Sequence, residues 1–276
     1  MLEFAPSVPG IAARLRAGTL MPYLGPGVAA LSGTTAPTSY EDLAAWFATK
    51  VALPKRARGN AWASAQYIES ARFRATLDHM MEAAFAAPVA PNSLHIAIAS
   101  LSPSLIVDTW YDAALRSAFA GMTGWGEIHA ASRARPGEFR WYRAYNATGA
   151  ECPVPDADQW RTLIYKPHGA IARGANFLIS DADYVEVLTE IDIQTPIPDT
   201  VKTRRAQGGF LFLGCRFHDQ TLRSYARQIA KRSGGNHVAV MEPGMAKNEQ
   251  KFLAEMGAMV IEQPLGVFVD QLKAAL

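Results

Sequence analysis

Cysteine is scarce in this 276-residue chain: Cys152 and Cys215 are the only two. That number excludes a zinc site built from four cysteines and gives no basis for a disulfide framework. No charge of one sign dominates either. Lys and Arg number 27 against 25 Asp and Glu, a formal net charge of +2, so there is no electrostatic case for nucleic acid as the main partner. Arg133, Arg135, Arg140 and Arg143 could form a local patch, though a solvated surface accounts for them. No run is long and apolar enough to span a bilayer, and Glu3, two prolines and Arg14/Arg16 interrupt any secretory pattern at the N-terminus. The cytoplasm is the expected location, with no membrane partner. His79, His95, His129 and His237 show no metal-ligand spacing, and no metal is expected.

What is present is apolar. A 49% apolar content with 19% charged residues describes a globular chain with a well-buried interior. Strand candidates are Leu20–Leu24, Leu105–Asp108, Leu163–Lys166, Asn176–Ile179, Phe210–Leu213, His237–Met241 and Met259–Ile261. Helical patterns fall near Tyr40–Lys50, Ala61–Ala87, Ser93–Ser100, Asp112–Ala120, Asp181–Ile191, Asp219–Arg232, Ala246–Met256 and Leu265–Ala275. Strands alternating with helices imply crossovers, hence an α/β fold with a mostly parallel sheet and helices on both faces. The aromatic, glycine-containing segment Gly121–Trp160 has no clean periodicity and reads as an irregular insertion above the sheet's carboxyl edge. Thr195–Gln207, with two prolines and three basic residues, reads as a surface linker. The organisation expected is one domain over residues 1–276, with a helical insert at about 40–100 and the irregular insert at about 121–160.

The segment Tyr23-Leu24-Gly25-Pro26-Gly27-Val28-Ala29 runs an apolar strand straight into a glycine turn. α/β proteins seat a pyrophosphate this way, because glycines let the backbone approach and helix-start N–H groups point at the anion. Three further segments follow in order: Val107-Asp108-Thr109-Trp110-Tyr111-Asp112, Tyr165-Lys166-Pro167-His168-Gly169-Ala170-Ile171, and Phe212-Leu213-Gly214-Cys215-Arg216-Phe217-His218-Asp219. With the glycine turn they resemble the sirtuin-like family, in its prokaryotic branch without a zinc module. There the segments read Gly-Ala-Gly-Val-Ser, Thr-x-Asn-Tyr-Asp, Leu-His-Gly-Ser-Ile and Gly-Tyr-Ser-Leu-x-Asp. Ser180–Tyr184 resembles the Asp-Tyr helix start that follows the family's histidine.

The resemblance implies a Rossmann-like domain that binds NAD at the strands' carboxyl ends. It also implies cleavage of the nicotinamide–ribose bond, in some members as a defence against phage. On this basis His168 would be the general base, and Asp112 would sit by the nicotinamide end. Gly25, Pro26, Gly27, Val28 and Ala29 would wrap the phosphates. Thr109 and Trp110 would stand beside the ligand, with Gly214, Cys215 and Arg216 closing over the ribose. Glu242, just after a strand, stands where an acid could accept from ribose hydroxyls.

The departures from the family pattern fall on ligand-touching positions. Trp110 replaces an Asn, and an indole has one donor, no acceptor and the bulk to fill a nicotinamide site. Pro26 removes a backbone N–H from the turn, Ala29 removes a hydroxyl, and Arg216 stands in place of a Ser, where it could grip phosphate or block the pocket. Two functions therefore stand side by side. One is an NAD glycohydrolase, not a zinc-type protein deacylase. The other is a non-catalytic nucleotide-sensing or assembly module that acts through a partner protein or by forming a homo-oligomer. A third reading keeps the fold alone and leaves the substrate unrelated.

Overall fold

The computed structural model describes residues 7–130, 141–171, 176–193 and 197–276. Its strands are β1 (Leu20–Leu24), β2 (Leu105–Asp108), β3 (Trp125–Ala130), β4 (Tyr142–Asn146), β5 (Glu151–Cys152), β6 (Thr162–Lys166), β7 (Gly169–Ala170), β8 (Asn176–Phe177), β9 (Gly209–Leu213), β10 (Val238–Met241) and β11 (Met259–Glu262). Its helices begin with α1 (Val8–Arg16), α2 (Gly27–Ala30), α3 (Tyr40–Lys50), α4 (Ala61–Arg72), α5 (Arg74–Ala84) and α6 (Ser93–Leu101). They continue with α7 (Ala114–Ala118), α8 (Asp181–Ile193), α9 (Asp199–Arg205), α10 (Gln220–Ala230), α11 (Lys247–Glu255) and α12 (Leu265–Ala275).

Among the described residues nine strands form one sheet, in the order β11-β10-β9-β1-β2-β6-β3-β4-β5, and β7 and β8 form a separate pair. The first seven of that order run parallel; β4 and β5 are antiparallel additions at one edge. Alternation along the strands divides the apolar side chains between two cores. Met21, Tyr23, Phe210 and Phe212 face the layer that holds α3, α4, α5 and α10. Leu20, Leu24, Leu211 and Leu213 face the layer that holds α1, α6 and α12. A parallel sheet covered on both faces must be apolar on both, which is why these strands are continuous hydrophobic runs.

The chain winds from β1 outward through β2, then crosses back to lay β9 on β1's other side. The order therefore reverses between β1 and β9. In open α/β sheets that reversal opens a crevice at the strands' carboxyl ends.

Three expectations from the sequence need correction. Among its described residues, the segment 121–160 is not irregular: it carries β3, β4, β5 and a 3-10 turn at Val154–Gln159. Strand β3 hides behind Gly126, whose missing Cβ makes room for the Trp160 ring. Arg133, Arg135 and Arg140 lie outside the described residues. Thr195–Gln207 is not a surface linker, since it holds α9, whose Arg204 and Arg205 side chains point inward while Lys202 pairs with Asp199 at the surface. Arg204 donates to the Ser104, Ala157 and Trp160 carbonyls, and Arg205 to those of Gln228 and Ile229.

The single long helix read over Ala61–Ala87 is two helices broken at Phe73, whose φ is +69°. Arg74, next along, fixes the break by donating to Asp78, Asp183 and the Phe177 carbonyl. Helix α1 went unread in the sequence. Ser7 caps it by accepting from the Gly10 N–H.

Candidate functional site

The loops that follow β1, β2, β6, β9 and β10 converge on one cleft at the switch point. Gly25, Pro26 and Gly27 line it after β1, Thr109 after β2 and His168 after β6. Gly214, Cys215 and Arg216 line it after β9, and Glu242 after β10. The enclosed volume is about 190 Å³, less than the roughly 300–1,000 Å³ of typical small-molecule pockets.

Gly25 and Gly27, besides lining the cleft, are where the β1 loop meets the β9 loop. A Cβ at Gly25 would collide with the backbone of Gly214 and Cys215, and one at Gly27 would lie 3.0 Å from the Gly214 carbonyl oxygen. The two loops are packed backbone against backbone. Their hydrogen bonds follow suit: Gly25 N–H donates to Leu213, Gly27 N–H to Gly214, Val28 N–H to Gly25 and Ala29 N–H to Pro26. Pro26 has none to give. The loop's N–H groups, expected to cradle phosphate, are engaged within the protein. Val28 and Ala29 are buried and do not line the cleft.

His168 is 1% exposed, its ring set against Tyr184 and Tyr225 at 5.5 and 4.7 Å between centroids. Burial, reinforced by the nearby Lys166 ammonium, pushes its pKa down to about 3, so the imidazole is neutral at physiological pH. Nδ1 lies 3.0 Å from the Tyr184 hydroxyl. Lys166 itself is buried and lies 2.6 Å from Asp108 Oδ2. Burial opposes its charge, but Asp108, Asp112 and Glu127 outweigh that and hold its pKa above the ordinary lysine value.

Asp112 and Trp110 stand apart from the cleft lining. The Asp112 carboxylate accepts from the Ala114 N–H at 2.8 Å, and its backbone carbonyl accepts from Lys166. Burial and the neighbouring Asp108 push its pKa up to about 6. Trp110 is 2% exposed, donates from Nε1 to the Pro37 carbonyl at 2.9 Å, and packs edge-on against Tyr40. The indole fills the core beneath the cleft wall, not the cleft. Thr109 reaches the cleft, but its hydroxyl donates to the Leu24 carbonyl at 2.9 Å.

The β9 loop is held by a buried carboxylate. Glu249 accepts from Arg216 Nε at 3.1 Å, Arg216 Nη2 at 3.3 Å, Phe217 N–H at 2.8 Å and Ala246 N–H at 3.0 Å. This grip leaves further N–H groups on the guanidinium, which is half exposed at the cleft. Cys215 donates weakly to the Tyr23 and Leu213 carbonyls, and burial raises its pKa far above the ordinary thiol value. Glu242 Oε1 accepts from the Leu265 N–H at the start of α12, which fixes the carboxylate at the rim.

Several lining residues escaped the sequence reading. Tyr40 forms part of the wall, and Glu41 and His218 face each other at 3.1 Å across the mouth. The hydrogen bond to Glu41 raises the His218 pKa. Glu41 opens helix α3, more than 170 positions before His218 in the chain, so no local pattern could have paired them.

Among the described residues no group of three or more His, Cys, Asp or Glu could hold a metal, and no helix is long and apolar enough to cross a membrane. Compared with known protein families, residues 104–261 match the SIR2-like domain, a span of more than half the chain. It contains Thr109, His168, Gly214–Arg216 and Glu242, and begins after the β1 glycine loop. No curated protein matches the chain.

Proposed function

The chain belongs to the SIR2-like family, and from that premise we propose that its switch-point cleft binds NAD or an ADP-ribose-type nucleotide. The convergence of His168, the two glycine loops, Arg216 and Glu242 on one crevice carries this reading. The half-exposed Arg216 guanidinium is the natural phosphate contact, because the β1 loop has no N–H left to offer. Glu242, with one oxygen tied to Leu265, keeps acceptor capacity for a ribose hydroxyl.

Hydrolysis of the nicotinamide–ribose bond is the chemistry this cleft would perform. Nicotinamide departs with the bonding electron pair, water attacks the ribose carbon, and a base takes the water's proton. His168 is the group available for that last step. A pKa of about 3 makes it a weak proton acceptor, so turnover is expected to be slow.

A second reading, a non-catalytic sensing or assembly module, has its own observation. Trp110 and Ala29 offer the cleft no polar group, and a missing preorganised hydrogen bond costs on the order of 100- to 1,000-fold in rate.

Calorimetry with NAD and with ADP-ribose tests the binding, and nicotinamide release tests the chemistry. Saturable heat together with slow release that is lost in His168→Ala supports a slow hydrolase. Binding with no release at high protein concentration favours the second reading. Absence of heat with both nucleotides sinks the proposal.

A further inference from the structure

We propose that Tyr184 is a positioning residue that keeps the ring hydrogen of His168 on Nδ1 and so presents the Nε2 lone pair to the cleft. Nδ1 faces the Tyr184 hydroxyl at 3.0 Å, which leaves Nε2 as the nitrogen available to the cleft that His168 lines. The same hydroxyl oxygen lies 3.3 Å from the carbonyl oxygen of Leu178.

A phenol carries a single hydrogen, so it can serve only one of these two contacts as donor. If it pointed at Nδ1, the Tyr184 oxygen would face the Leu178 carbonyl oxygen at 3.3 Å with no hydrogen of its own between them, and Tyr111 would be that carbonyl's hydroxyl donor. If it points at Leu178, the imidazole must supply the hydrogen on Nδ1, and both contacts become hydrogen bonds. The chain then reads Nδ1–H to Tyr184 oxygen, and Tyr184 O–H to Leu178 carbonyl.

Leu178 is built for this part. Its carbonyl also accepts from the Tyr111 hydroxyl at 2.7 Å, and a carbonyl has two lone pairs to serve both tyrosines. Its own N–H donates to the His168 carbonyl at 2.9 Å, which ties the acceptor to the residue it controls. The ring cannot turn away, because Tyr184 and Tyr225 flank it in the buried layer.

The consequence for catalysis rests on the proposed NAD reading: an Nδ1–H imidazole can accept a proton at Nε2, whereas an Nε2–H imidazole offers the cleft only a donor. The tautomer itself depends on no nucleotide.

Long-range 1H–15N correlation spectra of histidine-labelled protein at pH 7, without nucleotide, read it directly. His168→Gln assigns the His168 signals among those of the six histidines. We expect Nδ1–H in the wild type and a shift toward Nε2–H in Tyr184→Phe, with an unchanged circular dichroism spectrum. An Nε2–H tautomer in the wild type overturns the proposal, as does a Tyr184→Phe spectrum identical to it. Should Tyr184→Phe not fold, the wild-type spectrum decides alone. In a protein that releases nicotinamide, Tyr184→Phe lowers kcat on the order of 100-fold with KM little changed. A protein that releases none refutes the hydrolase reading and leaves the tautomer to the spectrum.

Discussion

Gly25 and Gly214 lie backbone to backbone where the sheet order reverses: a Cβ on Gly25 would overlap the Gly214 carbonyl, and one on Gly214 would lie 2.5 Å from the Val28 nitrogen. Gly25→Ala must therefore push the β1 and β9 loops apart and distort the cleft between them. We expect a loss of about 2–4 kcal/mol in urea unfolding, from overpacking and broken loop hydrogen bonds together. Gly33 is the control. Its φ is +62° with nothing near a Cβ, so Gly33→Ala should cost only about 1 kcal/mol. Equal losses at the two sites would refute the packing account.

The buried Lys166–Asp108 pair, 2.6 Å apart, braces the end of β6 two residues before His168. Lys166→Met leaves Asp108 uncompensated in the interior, with an expected cost of about 3–5 kcal/mol. Changing both, Lys166→Met with Asp108→Asn, should recover at least half of that loss. A strictly additive double variant in chemical denaturation would show that the two groups act independently.

Trp110→Asn, the change that the resemblance to the sirtuin-like pattern suggests, should not raise activity. The indole is a core element bonded to the Pro37 carbonyl, and its removal should cost about 3–5 kcal/mol. Nicotinamide release should stay at or below the wild-type rate. A folded Trp110→Asn protein with tenfold faster release would mean that the indole obstructs the ligand after all.

Arg216→Ala should weaken NAD binding about 10-fold in calorimetry, the worth of one charge-assisted hydrogen bond. The effect should shrink as salt is added, because the guanidinium is half exposed. Unchanged affinity would assign the phosphate to another group.

Two buried groups tilt the pH dependence of stability in opposite directions. The folded pKa of His168 falls to about 3 from 6.5, so below pH 6.5 the unfolded chain takes a proton that the folded one refuses. Stability should decline as pH falls from 6.5 toward 3. Asp112 rises from 3.8 to about 6, so the folded chain holds the extra proton. Its contribution is therefore lost as pH rises from about 4 through 6, by up to about 3 kcal/mol. Asp112→Asn keeps an acceptor for the Ala114 N–H, and its urea midpoint should fall less between pH 5 and pH 8 than that of the wild type. Parallel curves would remove Asp112 from the account.

Periodicity and glycine punctuation were enough to find β1, β2, α3 and α12 to the residue. These elements are apolar runs bounded by local breakers, and local forces decide them. Strand β3 and helix α9 were not legible. Gly126 looks like a breaker until Trp160 fills the space above it, and Arg204 and Arg205 look solvated until distant carbonyls receive them.

The candidate site divides along the same line. The order of motifs along the chain, through the resemblance it carries, was enough to place His168, Gly214, Arg216 and Glu242 within three residues of the ends of β6, β9 and β10 and so at the carboxyl edge. Only the tertiary structure decided that Trp110 belongs to the core, that the β1 loop's N–H groups are already bonded, and that Glu41 meets His218. The alternation of apolar strands with helices is a local pattern and can be read from sequence. Which face a side chain turns to, and which partner takes its hydrogen, depends on residues far away in the chain.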